Sequence, residues 1–217
     1  MIAAPPVVAL HYTLDEGQGS VAHDENSGMS ARLDSRWAGL TWGPNYAHLD
    51  IGVFATRHAH ALSPGNRDVT LAVRYRTSDP SGAANIAQVG TSGETSLVGV
   101  KMETVCRTDD GGRCTAEGGP ARPRCAFTGS LDHVNLTGAD VEVNDGVWHS
   151  IICRKTATAV WQVVDGRVTE RRDLAIGSID TGYAPFMFGG KADRKLDAHD
   201  AVHGDIGDVR LLEQAAD

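Results

Sequence analysis

Aromatic residues are scarce in this 217-residue chain, 6% of the total, so any surface built to stack on rings must rely on a handful of side chains. Lysine is scarcer: it stands only at Lys101, Lys155, Lys191 and Lys195, and Arg supplies the other 16 of 20 basic residues. With 28 acidic residues the formal charge is -8. That balance excludes a protein that lives on phosphate backbones, since nonspecific nucleic-acid affinity comes from many Lys and Arg contacts. No stretch stays apolar for the roughly 18 residues of a membrane helix, so no membrane insertion is expected. The start, Met1-Ile2-Ala3-Ala4-Pro5-Pro6, lacks the cationic region and apolar run of a signal peptide, so a secreted chain would be read here in its mature form. Also absent are a C-x-x-C pair, a Gly-x-Ser-x-Gly elbow, a Gly-rich phosphate loop ending in Lys-Ser or Lys-Thr, and a His-Glu-x-x-His pair. Zinc-ribbon, serine-hydrolase, nucleotide-binding and zinc-protease readings therefore have no foothold.

What is present is a globular composition, 41% hydrophobic and 22% charged, at a length that suits one domain spanning residues 1–217. Apolar segments are short or alternate with polar residues, and no Gly-free dozen carries an i, i+3, i+4 stripe. The expected class is all-β, an antiparallel two-sheet β-sandwich. The clearest strands are Val8–Leu14, Val69–Arg76, Ser96–Val105, Trp148–Lys155, Ala159–Val164 and Gly204–Leu212, each ending at turn residues. Asp165-Gly166 predicts a two-residue hairpin, because both positions tolerate the positive φ of a type I′ turn, and Asp145-Gly146 marks another turn. Segments 78–84, 106–124 and 193–203 are polar or rich in Gly and Pro and are expected to lie outside strands. The closing strand comes too late to pair only with its neighbours and is expected beside the first. Trp148 alternates with Ser150 and Ile152 and is expected in the inter-sheet core, leaving His149 on the opposite face with no evident catalytic partner.

Four cysteines, Cys106, Cys114, Cys125 and Cys153, allow three pairings. The preferred one joins Cys106 to Cys114 around a polar Gly-rich loop and Cys125 to Cys153 between two strand-like segments, which implies an oxidising compartment. The opposing reading, four reduced and buried cysteines, suffers from the absence of apolar cover around Cys114.

Three segments carry a resemblance. The first is Leu10-His11-Tyr12-Thr13-Leu14-Asp15-Glu16-Gly17 followed by Asp24-Glu25-Asn26-Ser27-Gly28. The second is Asp145-Gly146-Val147-Trp148-His149 with the later Val164-Asp165-Gly166. The third is Gly204-Asp205-Ile206-Gly207-Asp208-Val209-Arg210. Together they resemble the laminin-G-like jelly rolls of the concanavalin A-like lectin/glucanase superfamily, in particular single-domain secreted forms common in actinobacteria. The Cys125 to Cys153 spacing is similar to those members as well. In the third segment Gly207 replaces the first Asp of the family's Asp-Asp pair. The resemblance implies a jelly roll and, often, a structural calcium near the terminal strands, for which Glu16, Asp24, Glu25, Asn26, Asp205 and Asp208 are the candidate ligands, hard cations preferring oxygen. Gly207 removes one oxygen donor from that set.

Other chemistry is weaker. A retaining glycosidase needs two carboxyls about 5 Å apart on one cleft, and Asp140 with Glu142 comes nearest, though their run leads straight into a turn and reads as a solvated face. Asp193, Asp197, His199, Asp200, His203 and Asp205 mix imidazole and carboxylate without a fixed spacing, and His58 with His60 shares a strand-like alternation. Both fit a polar surface better than a transition-metal site. Stacking on sugar needs rings beside hydrogen-bonding groups. Trp37, Trp42 and Tyr46, in a Gly- and Pro-broken stretch, are the ligand-binding candidates, with Trp42 more at home in the core.

The sequence reading is a noncatalytic secreted or cell-surface binding module, recognising carbohydrate or a glycosylated surface through rim loops, with calcium as its only expected cofactor. No catalytic residue is assigned. Its rivals are a polysaccharide-active hydrolase or lyase on the same fold, and an adhesion module that binds protein.

Overall fold

The computed structural model describes residues 8–33, 39–57, 59–79, 84–90, 99–105, 121–138, 141–192 and 198–214. In chain order the strands begin with β1 (Val8–Tyr12), β2 (Val21–Ala22), β3 (Ala31–Leu33), β4 (Leu40–Gly43), β5 (Tyr46–Asp50) and β6 (Phe54–Thr56). After a 3-10 turn at His60–Leu62 come β7 (Asp68–Arg76), β8 (Ala84–Val89), β9 (Gly99–Val105), β10 (Arg122–Thr128), β11 (His133–Thr137) and β12 (His149–Lys155). The chain closes with β13 (Val160–Val164), β14 (Arg167–Arg172), β15 (Phe186–Phe188), β16 (Lys191–Ala192), β17 (Ala198–His199) and β18 (His203–Gln214). Sixteen of them form two antiparallel sheets of eight strands, the expected all-β sandwich, and β16 and β17 pair only with each other. One runs β14-β13-β12-β7-β18-β5-β4, with β1 also paired to β18, and the other runs β11-β10-β9-β8-β15-β6-β3-β2.

Alternation explains the central strand β7. Val69, Leu71, Val73 and Tyr75 are buried, while Thr70, Ala72, Arg74 and Arg76 take the other phase and form the outer face. The interior between the sheets is closed by rings: Phe54 and Phe188 stack at 5.0 Å and Tyr12 meets Phe188 at 5.2 Å. Each such buried ring contributes about 1.5–3 kcal/mol of transfer free energy. The Tyr12 hydroxyl donates to Met29 O at 2.6 Å. Burial, reinforced by the Asp24 carboxylate, holds that phenol far above its ordinary pKa.

The disulfide Cys125–Cys153 joins β10 to β12 and so crosses from one sheet to the other, with both sulfurs in the core. Beside it, the fully buried Gln162 donates to Pro123 O at 2.9 Å and accepts from Gly138 N–H and Thr169 Oγ1 at 2.9 and 2.8 Å. Cys106 and Cys114 lie outside the described residues.

The turns follow their sequence signals. Asp165 and Gly166 adopt φ of 49° and 77° between β13 and β14, and Gly146 adopts 83°. The closing strand β18 is twelve residues long and does lie beside the first, Tyr12 opposite Val209 and Val8 opposite Glu213. Its register against β7 slips between Gly207 and Arg210, with Asp208 at φ 50°. Ahead of the slip β18 pairs with β5, and beyond it with β1, so the bulge marks the point where one edge changes partner.

Four expectations are corrected. Trp148 is not in the core: His149, Ile151, Cys153 and Lys155 point inward and Trp148 lies half-buried on the outer face. Cys153 must face the other sheet to reach Cys125, and a period of two then turns residue 148 outward. In the 106–124 segment, Arg122–Arg124 belongs to β10, which pairs with β9. In the 193–203 segment, Ala198–His199 pairs with Lys191–Ala192 and His203 opens β18. Ala84 opens β8 rather than ending a loop. Residues 80–83, 106–120 and 193–197 lie outside the described part.

Candidate functional site

The outer face of the β7–β18–β5 sheet gathers the polar and aromatic side chains that the core rejects. Strand register sets them in rows. Arg76 on β7 is opposite Asp205 on β18, which is opposite His48 on β5. Asp205 therefore accepts from Arg76 Nε at 2.7 Å and lies 2.7 Å from His48 Nδ1. The bond to Asp205 raises Arg76 above the usual arginine range despite some desolvation. One row along, Arg74 is opposite Gly207 and Ser150. His203 and Asp50 pair at 2.7 Å at the strand ends.

Trp148 stands over these rows. The guanidiniums of Arg74 and Arg76 lie 4.7 and 4.8 Å from its ring centre, and Tyr46 meets it edge-on at 5.7 Å. Gly207 lies under this cluster. A Cβ there would come 2.8 Å from Asn45 O and 3.7 Å from Trp148 Cη2, so the absence of a side chain is what lets the β4–β5 turn and the indole come together over β18. Gly207 thus has a steric reason of its own. The result is a pair of rings bordered by charged hydrogen-bonding groups, an arrangement that can stack on a sugar face and bind its hydroxyls.

His149, next to Trp148 in the chain, points inward and is buried. Its Nδ1 is 2.8 Å from Asp165 Oδ2 and its Nε2 is 3.1 Å from Asp145 Oδ1. Burial disfavours the imidazolium, yet the hydrogen bonds and charges of the two aspartates outweigh it and raise the His149 pKa. These partners are turn residues, so the histidine ties the Asp145-Gly146 turn to the Asp165-Gly166 hairpin.

The other candidate residues are dispersed. Tyr46 belongs to the outer-face cluster. Trp42, on β4, points the other way, packing against Phe54 at 6.1 Å and donating Nε1 to Gly19 O at 2.9 Å. Trp37, His58, Asp140, Asp193 and Asp197 lie outside the described residues. Glu142 is exposed and outside any strand, and His60 packs against Tyr183 at 4.8 Å. Asp200 is paired with Lys191.

Most of the six oxygen donors considered for calcium are engaged by protein partners. Asp24 accepts from His11 N–H and from the Ser27 N–H and hydroxyl; burial works to raise its pKa, but these bonds hold it below the usual carboxylate range. Asp208 contacts His11 Nε2 at 2.7 Å and accepts from Arg210 Nε at 2.8 Å, while Asp205 is held by Arg76 and His48. Glu25 is exposed, 3.5 Å from the Thr13 hydroxyl, and Asn26 is exposed in the same turn. Glu16 Oε1 accepts from His23 N–H, but its Oε2 is buried without a hydrogen-bond partner. Among the described residues no three His, Cys, Asp or Glu side chains come together as a metal site.

Arg74, Arg76 and His48 were not singled out from sequence, and Trp148 was singled out only as a core residue. The alternation of β7 was the available signal for both arginines; His48 is 157 residues from Asp205 and carries no local mark.

No protein-family model matches the chain, and no curated protein matches it. Solved structures do. Domain 4 of AbnA, a GH43 extracellular arabinanase from Geobacillus stearothermophilus solved in complex with arabinotriose, is similar at a TM-score of 0.65 and 14% identity, over 99% of this chain and 95% of that one. The binding domain of Paraclostridial Mosquitocidal Protein 1 gives 0.63 at 9% identity, over 96% of this chain and 49% of that one. Trypanosoma rangeli sialidase gives 0.61 at 14% identity, over 96% of this chain and 30% of that one. The chain thus spans about half of the mosquitocidal binding domain and under a third of the sialidase. The shared fold is a jelly-roll β-sandwich.

Proposed function

We propose that the protein is a noncatalytic, secreted or surface-displayed module that binds carbohydrate, a laminin-G-like form of the actinobacterial secreted type. The observation that carries this reading is the outer-face cluster of Trp148 and Tyr46, bordered by Arg74, Arg76, His48 and Asp205. The arabinotriose complex of the similar arabinanase domain supports the choice of ligand class. The buried inter-sheet disulfide supports an oxidising compartment, and among the described residues no helix is long and apolar enough to cross a membrane.

Binding moves in this reading from the rim loops to the sheet face. Affinity electrophoresis through gels containing neutral and acidic polysaccharides tests it. Trp148→Ala and Tyr46→Ala should each weaken retardation about tenfold or more, the usual worth of a stacked ring. Unchanged retardation of both variants refutes the platform. Calcium belongs to this reading with Glu16, Asp24, Glu25, Asn26, Asp205 and Asp208 as its oxygen donors, and Glu16 keeps a buried oxygen without a hydrogen-bond partner. Unfolding midpoints measured with calcium and with chelator decide this, since an ion bound only to the native state must raise the midpoint. Equal midpoints remove calcium from the reading.

A further inference from the structure

The outer face carries a second ring-and-arginine cluster. Trp161 on β13 lies under Arg154 of β12 and Arg171 of β14, at 5.0 and 5.3 Å. Arg154 is opposite Trp161 on one side and Thr70 on the other, while Arg74 is opposite Ser150. The two arginines are therefore four positions apart along β12, about 14 Å at ~3.4 Å per residue, farther than one sugar ring reaches.

Charge accounting on this face separates them from the other cations. Asp205 is held by Arg76 and His48, Asp208 by Arg210 and His11, Asp50 by His203, and Asp173 by Arg171. Arg74 and Arg154 are exposed, and among the described residues neither has a carboxylate partner; each only stacks on a tryptophan. In a chain of charge -8 with acids in excess, two guanidiniums left open beside rings on one strip are a specific local feature. A planar guanidinium offers paired N–H donors that match a carboxylate, and stacking fixes its plane.

We propose that this face binds an extended carboxylated polysaccharide, Arg74 and Arg154 each pairing with a uronate carboxylate while Trp148 stacks on a sugar ring and Trp161 holds the Arg154 guanidinium in plane. This rests on the carbohydrate-binding reading and names its ligand class.

Affinities are measured by calorimetry for polygalacturonate, alginate and hyaluronan, for methyl-esterified polygalacturonate and neutral arabinan, and for dextran sulfate. At least one polyuronate should bind, esterification should weaken binding tenfold or more, and Arg74→Gln with Arg154→Gln should do the same without moving the unfolding midpoint. Arabinan or esterified ligand binding as tightly as every polyuronate overturns the inference and leaves the carbohydrate-binding reading standing. Dextran sulfate binding as tightly as the polyuronates reduces the strip to a general anion surface and also overturns it. Failure of the whole panel overturns both readings.

Discussion

Asp165 serves His149 and its neighbour at once: Oδ2 lies 2.8 Å from His149 Nδ1 while Oδ1 accepts the Ser150 N–H at 2.8 Å. A turn aspartate at positive φ thereby anchors the start of the strand that leads from Trp148 to the disulfide.

Stability should follow the charge on that histidine. Its folded pKa is raised by Asp165 and Asp145 against the cost of burial, so its contribution is complete below the ordinary histidine pKa of about 6.5 and is lost as pH rises through the folded value. Asp145, lowered chiefly by the Val147 N–H and then by His149, behaves oppositely; its contribution is present above the ordinary aspartate value and is lost as pH falls through the folded one. Melting midpoints across pH 3–9, an experimental range spanning the histidine and carboxylate pKa values, should peak on the acid side of neutrality. His149→Ala should cost about 2–3 kcal/mol near pH 6, the worth of bonds to charged groups, and flatten the alkaline limb. A variant with the parent's full pH profile would exclude His149 as its source.

Gly207→Ala should destabilise the protein by about 1–3 kcal/mol, because the methyl would stand 2.8 Å from Asn45 O and force the β4–β5 turn away from Trp148. Gly207→Asp should be worse and should gain nothing from calcium. Denaturant titrations with and without calcium check both; calcium-dependent recovery of the Asp variant would show that steric fit is not why glycine stands there.

Gln162→Leu should cost about 2–4 kcal/mol, since it leaves the Gly138 N–H, the Thr169 hydroxyl and the Pro123 carbonyl without their buried partner. Urea unfolding of the oxidised protein measures this directly. A loss under 1 kcal/mol would mean that rearranged backbone satisfies those groups.

Much of the fold was legible because it is local. The Asp-Gly turns need only two residues, and β7 and β13 are long enough for alternation to set their faces. The pairing of the last strand with the first followed from its late position. Trp148 shows where legibility was available but depended on a second observation: an inter-sheet bond at Cys153 fixes the phase of residues 149, 151 and 153 as inward, and hence of 148 as outward. Strands such as β2, β3 and β6, two or three residues long, carry no readable period. The Arg76–Asp205–His48 row joins three distant strands and needs their register, which no spacing in the sequence encodes.

The pairing of Val8 with Glu213 also settles how the module can be tethered. Strand β1 begins and β18 ends at the same end of the sheet, whereas Trp148 stands over Gly207, six residues and about 20 Å back from Glu213 along β18. A bead, a fluorophore or a fused partner joined directly beside Val8 or beside Gln214 therefore sits at the end of the sheet away from Trp148, and the two attachment geometries should be interchangeable.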